Sequence, residues 1–188
     1  MATRSYPSDR FEWLYSQIDT KKKIIDIGSG DCLLWRRYGF PPNLVLVDIN
    51  DWGNNIVADA HNLPFKDKSF DYAILAEILE HVENPKQVLK EAERVSRIVV
   101  GTVPDEENWL SLYRPFMPLW KLCIIENKTP RQIAQESNKC RIYNLKSIFH
   151  HRHFNYETLK NLLGEKYKII RLQYEGWSFL CFKSSPLI

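Results

Sequence analysis

Between residues 23 and 104 the chain repeats one pattern, a short run of Ile, Val and Leu followed by a polar stretch and then another such run. The runs are KIIDI from Lys23, LVLVDI from Leu44, NIVADA from Asn55, FDYAILA from Phe70 and RIVVGTV from Arg97. A strand with one face in water alternates apolar and polar side chains, whereas a strand covered by helices on both faces is apolar almost throughout. These runs are of the second kind, which predicts a parallel sheet built from βαβ units. One crossover is legible in detail: Pro85–Val95 places Val88, Leu89, Ala92 and Val95 along one side of a helix. Ahead of the repeat, residues 10–18 set Phe11, Leu14, Tyr15 and Ile18 at helical spacing and predict a leading helix. The three lysines at 21–23 read as a solvated edge of the next strand.

After Pro104 the alternation stops. Residues 105–150 carry Trp109, Leu112, Tyr113, Phe116, Leu119, Trp120, Tyr143 and Phe149 among prolines and charges, which predicts helices and loops laid over the sheet. Order returns with Asn155 as a helix cap, a helix to Leu163, a strand over 167–173, a turn at Glu175 and Gly176 and a last strand over 177–183. Residues 1–188 are expected to form one domain: a ligand-binding half over 1–104, a cover over 105–150 and a final helix with a strand pair over 151–188.

Composition sets limits on partners. Lys and Arg number 26 against 23 Asp and Glu, and a net charge of +3 gives no reason to expect a nucleic-acid partner or attraction to an anionic membrane. Cys32, Cys123, Cys140 and Cys181 form no Cys-x-x-Cys pair, and the start of the chain does not read as a signal peptide, so the expected compartment is the reducing cytoplasm. Apolar stretches such as 118–125 and 179–182 are far shorter than the roughly 20 residues that cross a bilayer, which leaves room only for peripheral membrane contact.

The chemistry-bearing residues sit at the ends of the predicted strands. Asp26, Gly28, Ser29 and Gly30 form an acid followed by a glycine turn, where the backbone bends sharply and a ligand can approach without meeting a Cβ. A turn of this kind also serves packing alone. Asp48 ends the next run, a position that faces the crevice of a doubly wound sheet and can accept hydrogen bonds from both hydroxyls of a ribose; its competing role is that of a local turn-former. A dinucleotide fingerprint calls for a small residue three places after the second glycine, and here that residue is Leu33. The loop therefore favours an adenosine ligand without a pyrophosphate.

The segment Ala58-Asp59-Ala60-His61-Asn62-Leu63-Pro64-Phe65, then Ser69-Phe70-Asp71, then Leu79-Glu80-His81, resembles class I S-adenosylmethionine-dependent methyltransferases, whose pattern reads DA-x-x-LPF, SFD and LEH. The resemblance covers residues 23–104 and is closest to the type 11-like group. It implies a doubly wound, mostly parallel seven-stranded Rossmann-like sheet with an antiparallel last strand and a helical insertion before the sixth. It also implies S-adenosyl-L-methionine as cofactor, with Asp26, Gly28, Ser29 and Gly30 at its methionine end, Asp48 at the ribose, Asp59 and the backbone of Ala60 at the adenine, Ile49 among the cofactor contacts, and Ala76 and Glu77 bounding the methionine moiety. The segment ending at His81 would lie near the methyl group. Two departures stand out. Cys32 occupies the place of a third glycine, and the stretch between Asp48 and Asp59 is too short for the usual helix, which predicts a turn around Asp51, Trp52 and Gly53 with Ile49 and Trp52 beside the adenine.

A sulfonium methyl is already a strong electrophile, so the expected task of the protein is to align an acceptor atom with it and exclude water. A base is needed only where the acceptor must lose a proton, and His81, His151 and Glu77 are the candidates. The cluster His150, His151, Arg152 and His153 lacks a cysteine or paired acid to complete a metal set, and no metal is expected. His61 reads as a hydrogen-bonded loop residue. The aromatic segment 109–120 is the expected cover of a small acceptor, ring-bearing, sugar-linked or lipid-like. Other readings stay open: a catalytically silent cofactor-binding module acting as a partner protein, and a nicotinamide-dependent oxidoreductase. Neither the oligomeric state nor the acceptor is legible.

Overall fold

The computed structural model describes residues 9–53, 55–105, 152, 154–174 and 177–185. Along the chain these give α1 (Asp9–Ser16), β1 (Ile24–Ile27), α2 (Leu33–Tyr38), β2 (Leu44–Asp48), β3 (Ile56–Val57), β4 (Phe70–Ala76), α3 (Pro85–Val95), β5 (Ser96–Pro104), α4 (Tyr156–Leu163), β6 (Tyr167–Tyr174) and β7 (Trp177–Ser184). The cover expected over 105–150 lies outside the described residues except for Asp105, as do His151, His153 and the turn at Glu175 and Gly176.

The seven strands form one sheet in the order β3-β2-β1-β4-β5-β7-β6. Every pairing from β3 to β5 is parallel, and β7 runs antiparallel to both of its neighbours. From β1 the chain steps outward to β2 and β3, then returns to place β4 on the other side of β1. That reversal puts a crevice at the carboxyl ends of β1 and β4, the place where doubly wound sheets bind ligands.

Along the central strands side chains alternate between two buried layers. Ile25 and Ile27 of β1, Ala73 and Leu75 of β4 and Val99 and Val103 of β5 join Val88, Leu89, Ala92 and Val95 of α3 and Leu159 and Leu163 of α4. On the other face Ile24, Ile74 and Val100 meet Phe11 and Leu14 of α1 and Leu34 and Trp35 of α2. Burial on both faces is why the strand sequences are uninterrupted in apolar residues. Caps fix the helices in their expected places: Asn84 Oδ1 accepts from Gln87 N at 3.1 Å with Pro85 in the first turn, and Asn155 forms a capping box with Thr158.

β3 is much shorter than its sequence run. Ile56 and Val57 are both exposed, and the connection from β2 is the turn expected from its length: Asp51 Oδ1 accepts from Gly53 N at 2.8 Å and Asn55 Oδ1 from Trp52 N at 2.7 Å. The residues after Val57 leave the sheet because the side chain of Asp59 caps a turn of its own.

The sheet is tightest at Gly101, in the middle of β5. A Cβ there would lie 2.3 Å from Phe182 Cζ and 2.6 Å from the Leu75 carbonyl oxygen, and the backbone atom cannot yield. We expect Gly101→Ala to lower stability by about 1 to 3 kcal/mol, the usual cost of overpacking, measured by urea denaturation; an unchanged midpoint would show that β5 and β7 separate more easily than this packing requires.

Candidate active site

The turn after β1 is made by two glycines with positive φ, Gly28 at 77° and Gly30 at 50°. Gly28 N and Ser29 N both donate to Val47 O, at 2.8 and 3.0 Å, so the turn is hung from the neighbouring strand. A Cβ on Gly28 would sit 2.5 Å from Ile78 Cδ1, whereas Gly30 faces open space to 4 Å. The first glycine is thus required by packing and conformation and the second leaves room for a ligand. Cys32 adopts φ 62° and opens α2 without a side-chain cap. It holds the left-handed conformation natural to the glycine it replaces, at a cost of roughly 1 kcal/mol.

Beneath this turn Asp26 is only 3% exposed. Its Oδ2 accepts a 2.6 Å hydrogen bond from the indole Nε1 of the fully buried Trp35, while Oδ1 has no partner among the described residues. Burial pushes its carboxyl up to about 7, against the pull of the indole hydrogen bond and with a further push from the charge of Asp48. Ser29 Oγ is likewise buried without a partner among the described residues.

Asp48 ends β2 and is 9% exposed. Its Oδ2 accepts from Gly30 N at 3.0 Å and its Oδ1 from Asn50 N at 2.9 Å. Oδ1 accepts a second, longer bond from Asn50 Nδ2 at 3.4 Å, so Asp48 shapes the local turn and keeps a spare acceptor lone pair on Oδ2. Ile49 and Trp52 follow it with side chains 65% and 51% exposed.

Ala58 N donates to Asp48 O at 2.9 Å, which carries the chain past β3 to Asp59. Asp59 Oδ1 takes the His61 backbone N–H at 2.9 Å and the His61 ring Nδ1 at 2.7 Å, contacts that hold its carboxyl below the usual range. The other ring nitrogen accepts from Asn84 N at 3.3 Å, which assigns the proton to Nδ1. His61 thereby joins the Asp59 turn to the start of α3. Ala60 packs against the core layer below.

Ala76 ends β4 opposite Thr102 of β5. Glu77 follows at φ 56°, with its N–H on Thr102 O and its Oε1 accepting from Thr102 Oγ1 at 2.7 Å, 3.9 Å from Arg10 Nε. Arg10 lies between the rings of Phe11 and Phe179. The His81 N–H meets Ile78 O, its ring is 40% exposed, and its Nε2 stands 3.9 Å from Oε1 of the buried Glu80.

Strand register gathers the expected ligand residues at one edge. Asp26 pairs with Leu46 and Ile74, Ile27 with Val47, and Asp48 with Val57, so Gly28, Asp48 and Ala76 stand at the same level and Asp59 two residues beyond. Among the described residues no set of three or more His, Cys, Asp or Glu side chains could hold a metal, and no helix is long and apolar enough to cross a membrane.

Sequence reasoning missed Trp35, Arg10, Thr102 and the clamp on the Leu63–Phe65 segment. Arg94 grips both oxygens of Glu91 at 2.8 and 2.7 Å and donates to Leu63 O and Phe65 O, while Leu63 N donates to Glu91 Oε2. The Leu-Pro-Phe motif is thus a structural latch onto α3. The spacing of Glu91 and Arg94 on a helix was its one visible trace.

The fold is shared with solved S-adenosylmethionine-dependent methyltransferases. A Thermotoga maritima S-adenosylmethionine-dependent methyltransferase superposes with TM-score 0.63 at 18% identity, covering 97% of this chain and 90% of its own. One from Methanosarcina mazei gives 0.57 at 17% identity, covering 97% and 99%. The 1,6-didemethyltoxoflavin-N1-methyltransferase of Burkholderia thailandensis, solved with S-adenosylhomocysteine and 1,6-didemethyltoxoflavin, gives 0.59 at 12% identity, covering 95% and 76%. In sequence, residues 25–98 match the methyltransferase domain family model. Among curated relatives, an uncharacterised protein of Methanocaldococcus jannaschii is 39% identical over 59 residues, and one encoded in a Streptomyces fradiae transposon is 31% identical over 99. These matches span 29% and 53% of this chain and only 28% and 27% of the relatives.

The buried acid beneath the glycine turn has a measurable signature. A carboxyl raised from 3.8 to about 7 on folding favours the folded state below pH 4 and loses that contribution as pH rises through 7. Asp26→Asn keeps an acceptor for Trp35 and has no proton to lose. Between pH 4 and pH 8 its stability relative to the parent should improve by on the order of 2 to 4 kcal/mol, read from denaturation at each pH; parallel pH profiles would show that Asp26 is not a destabilising buried charge.

Proposed function

We propose that this chain binds S-adenosyl-L-methionine and transfers its methyl group to a small-molecule acceptor. The observation that carries the reading is the edge formed by Asp26, Gly28–Gly30 and Asp48: a buried carboxyl oxygen without a partner among the described residues, an open glycine and a second acid with acceptor capacity left on Oδ2. Those features fit the cofactor's three polar parts. Asp26 and Ser29 would meet the amino-acid end, Asp48 the ribose hydroxyls, and Asp59 with the backbone of Ala60 the adenine edge. Ile49 and Trp52, exposed beside Asp48, would cover the base, and Ala76 would bound the methionine chain.

The cofactor supplies a sulfonium methyl that needs no nucleophile from the protein. The work left to the chain is to hold two partners in line and keep water out, which can supply effective molarities on the order of 10⁵ M or more. Where the acceptor must shed a proton, His81 is the base we propose, because its ring is accessible at the end of the segment that follows β4. Glu77, whose Oε1 is already engaged by Thr102 and faced by Arg10, suits the task of fixing the tips of β4 and β5. His151 is a further candidate from the sequence. The Burkholderia neighbour, solved with 1,6-didemethyltoxoflavin, supports a small-molecule acceptor, for which ring-bearing, sugar-linked or lipid-like kinds are the candidates from the sequence; the modest charge accords with the absence of a nucleic-acid partner, and the scattered cysteines with the cytoplasm.

Calorimetric titration with S-adenosylhomocysteine tests the site. Asp48→Ala should weaken binding by about 1 to 3 kcal/mol while the protein stays folded, the usual cost of removing a hydrogen-bond partner. Unchanged affinity would remove Asp48 from the site. Methyl-labelled cofactor incubated with a metabolite extract should give a labelled small molecule; binding without transfer to any fraction would favour a silent module instead.

A further inference from the structure

Two arginines and a phenylalanine stand apart from the rest of the surface. Among the described residues Arg10, Arg94, Arg97 and Arg171 each face a carboxylate, and Arg152 donates to the Glu83 carbonyl. The guanidinium groups of Arg36 and Arg37, in the last turn of α2, have neither kind of partner among those residues; Arg37 lies over the ring of Tyr38. Both arginines are exposed, and they share a helical stripe that begins at Leu33, 41% exposed, and is carried on past the helix end by Phe40, 52% exposed. Leu34 and Trp35 supply the stripe that is buried on the sheet. A surface helix ordinarily turns charged and polar residues to water, whereas α2 turns two large apolar side chains and two unpaired cations.

The backbone holds Phe40 outward. Gly39, at φ 91°, ends α2 with its N–H on Trp35 O at 2.8 Å, and Pro41 and Pro42 stiffen the loop that follows. That loop runs beside the lysines ahead of β1: Asn43 Nδ2 donates to Lys21 O at 3.4 Å, and Asn43 O accepts from Ile24 N at 3.1 Å. Lys21 and Lys22 are exposed, and their ammonium groups have no carboxylate partner among the described residues. Asp19, the acid in the same loop, accepts the Lys21 backbone N–H at 3.0 Å. A net charge of +3 over the whole chain conceals this local group of cations.

We infer that the outer face of α2, with the loops 20–23 and 39–43, docks on an anionic bilayer surface. Arg36, Arg37, Lys21 and Lys22 reach lipid phosphates, and Phe40 and Leu33 enter the interface between headgroups and acyl chains. Charge complementarity calls for a polyanion, and the apolar side chains decide which kind. The outer stripe of a helix is convex and offers no groove to a nucleic-acid backbone. Leu33 has no ring on which a base could stack, and the Asn43 amide is already engaged by Lys21 O. At a bilayer the same set is well used, because long cationic side chains lay their methylene stems along apolar surface and keep their heads among the phosphates. The inference needs no cofactor and stands apart from the methyl-transfer reading.

Vesicle co-sedimentation of the full chain tests it, with phosphatidylcholine vesicles set against mixed phosphatidylcholine and phosphatidylglycerol vesicles at low and high salt. The protein should bind the mixed vesicles at low salt and stay in solution with phosphatidylcholine alone. Arg36→Gln combined with Arg37→Gln should weaken that binding about thirtyfold, the loss expected for two cations at a charged membrane surface. Phe40→Ser should remove most of the binding that survives high salt, where screening leaves the apolar contribution. Lys86→Gln with Lys90→Gln takes the same charge from exposed positions of α3, on the other face of the sheet, and should leave binding near the parent's. All the substituted side chains are exposed, and the parent's own dependence on lipid composition tests the inference without any variant. No binding to the mixed vesicles at low salt would overturn it. So would an equal loss from the α3 pair, which would make the attraction one of net charge. A single-stranded oligonucleotide that displaced the protein from vesicles, with an affinity indifferent to Phe40→Ser, would assign these cations to nucleic acid and overturn it as well.

Discussion

Gly30 N and Asp48 Oδ2, 3.0 Å apart, tie the turn after β1 to the tip of β2, and much of the proposed site depends on that tie. It can form only because Gly28 and Gly30 both take positive φ, which turns successive amides toward β2, where Val47 O receives Gly28 N and Ser29 N. Ile78 closes against the hydrogen face of Gly28 from the other side. The turn is therefore fixed before any ligand arrives, with an acid below it and an acid beside it. Preorganisation of that kind lowers the ordering cost that binding would otherwise carry.

Negative charge is the second constraint. Asp26, Asp48 and Asp59 stand along one edge, and each is handled differently. Asp59 is open to water and held by His61, Asp48 is met by two backbone amides, and Asp26 is sealed in with a single indole N–H among the described residues. A protein with no use for the edge would gain stability by making Asp26 apolar, since an unpaired buried acid is among the more costly groups to keep. Its position directly under the glycine turn accords with the proposed role at the cofactor's amino-acid end.

Much of this was legible in the amino acids. The central strands announced themselves because burial on both faces demands unbroken apolar runs, and α3 and α4 because their caps and spacing agree. The strand-end acids were legible because the doubly wound fold places such positions at the crevice. β3 was overestimated, since Ala58 and Ala60 prolong an apolar run whose backbone is already committed to the Asp59 turn. α2 is too short for periodicity to mark. Trp35 looked like any core aromatic, because nothing in local sequence says where an indole N–H will point. The Glu91 and Arg94 latch joins residues some thirty positions apart, and pairing at that range is set by the fold alone.

The central claim is that the carboxyl-terminal tips of β1, β2 and β3 receive the cofactor. Two-dimensional amide NMR during titration with S-adenosylhomocysteine tests it residue by residue. The account predicts shifts at Gly28, Ser29, Gly30, Asn50 and His61 and at the Trp35 indole N–H, with Lys23, Ser69 and Ser96 at the opposite edge of the sheet unmoved. Saturating ligand that left the first group unchanged, or that moved the second group instead, would contradict it.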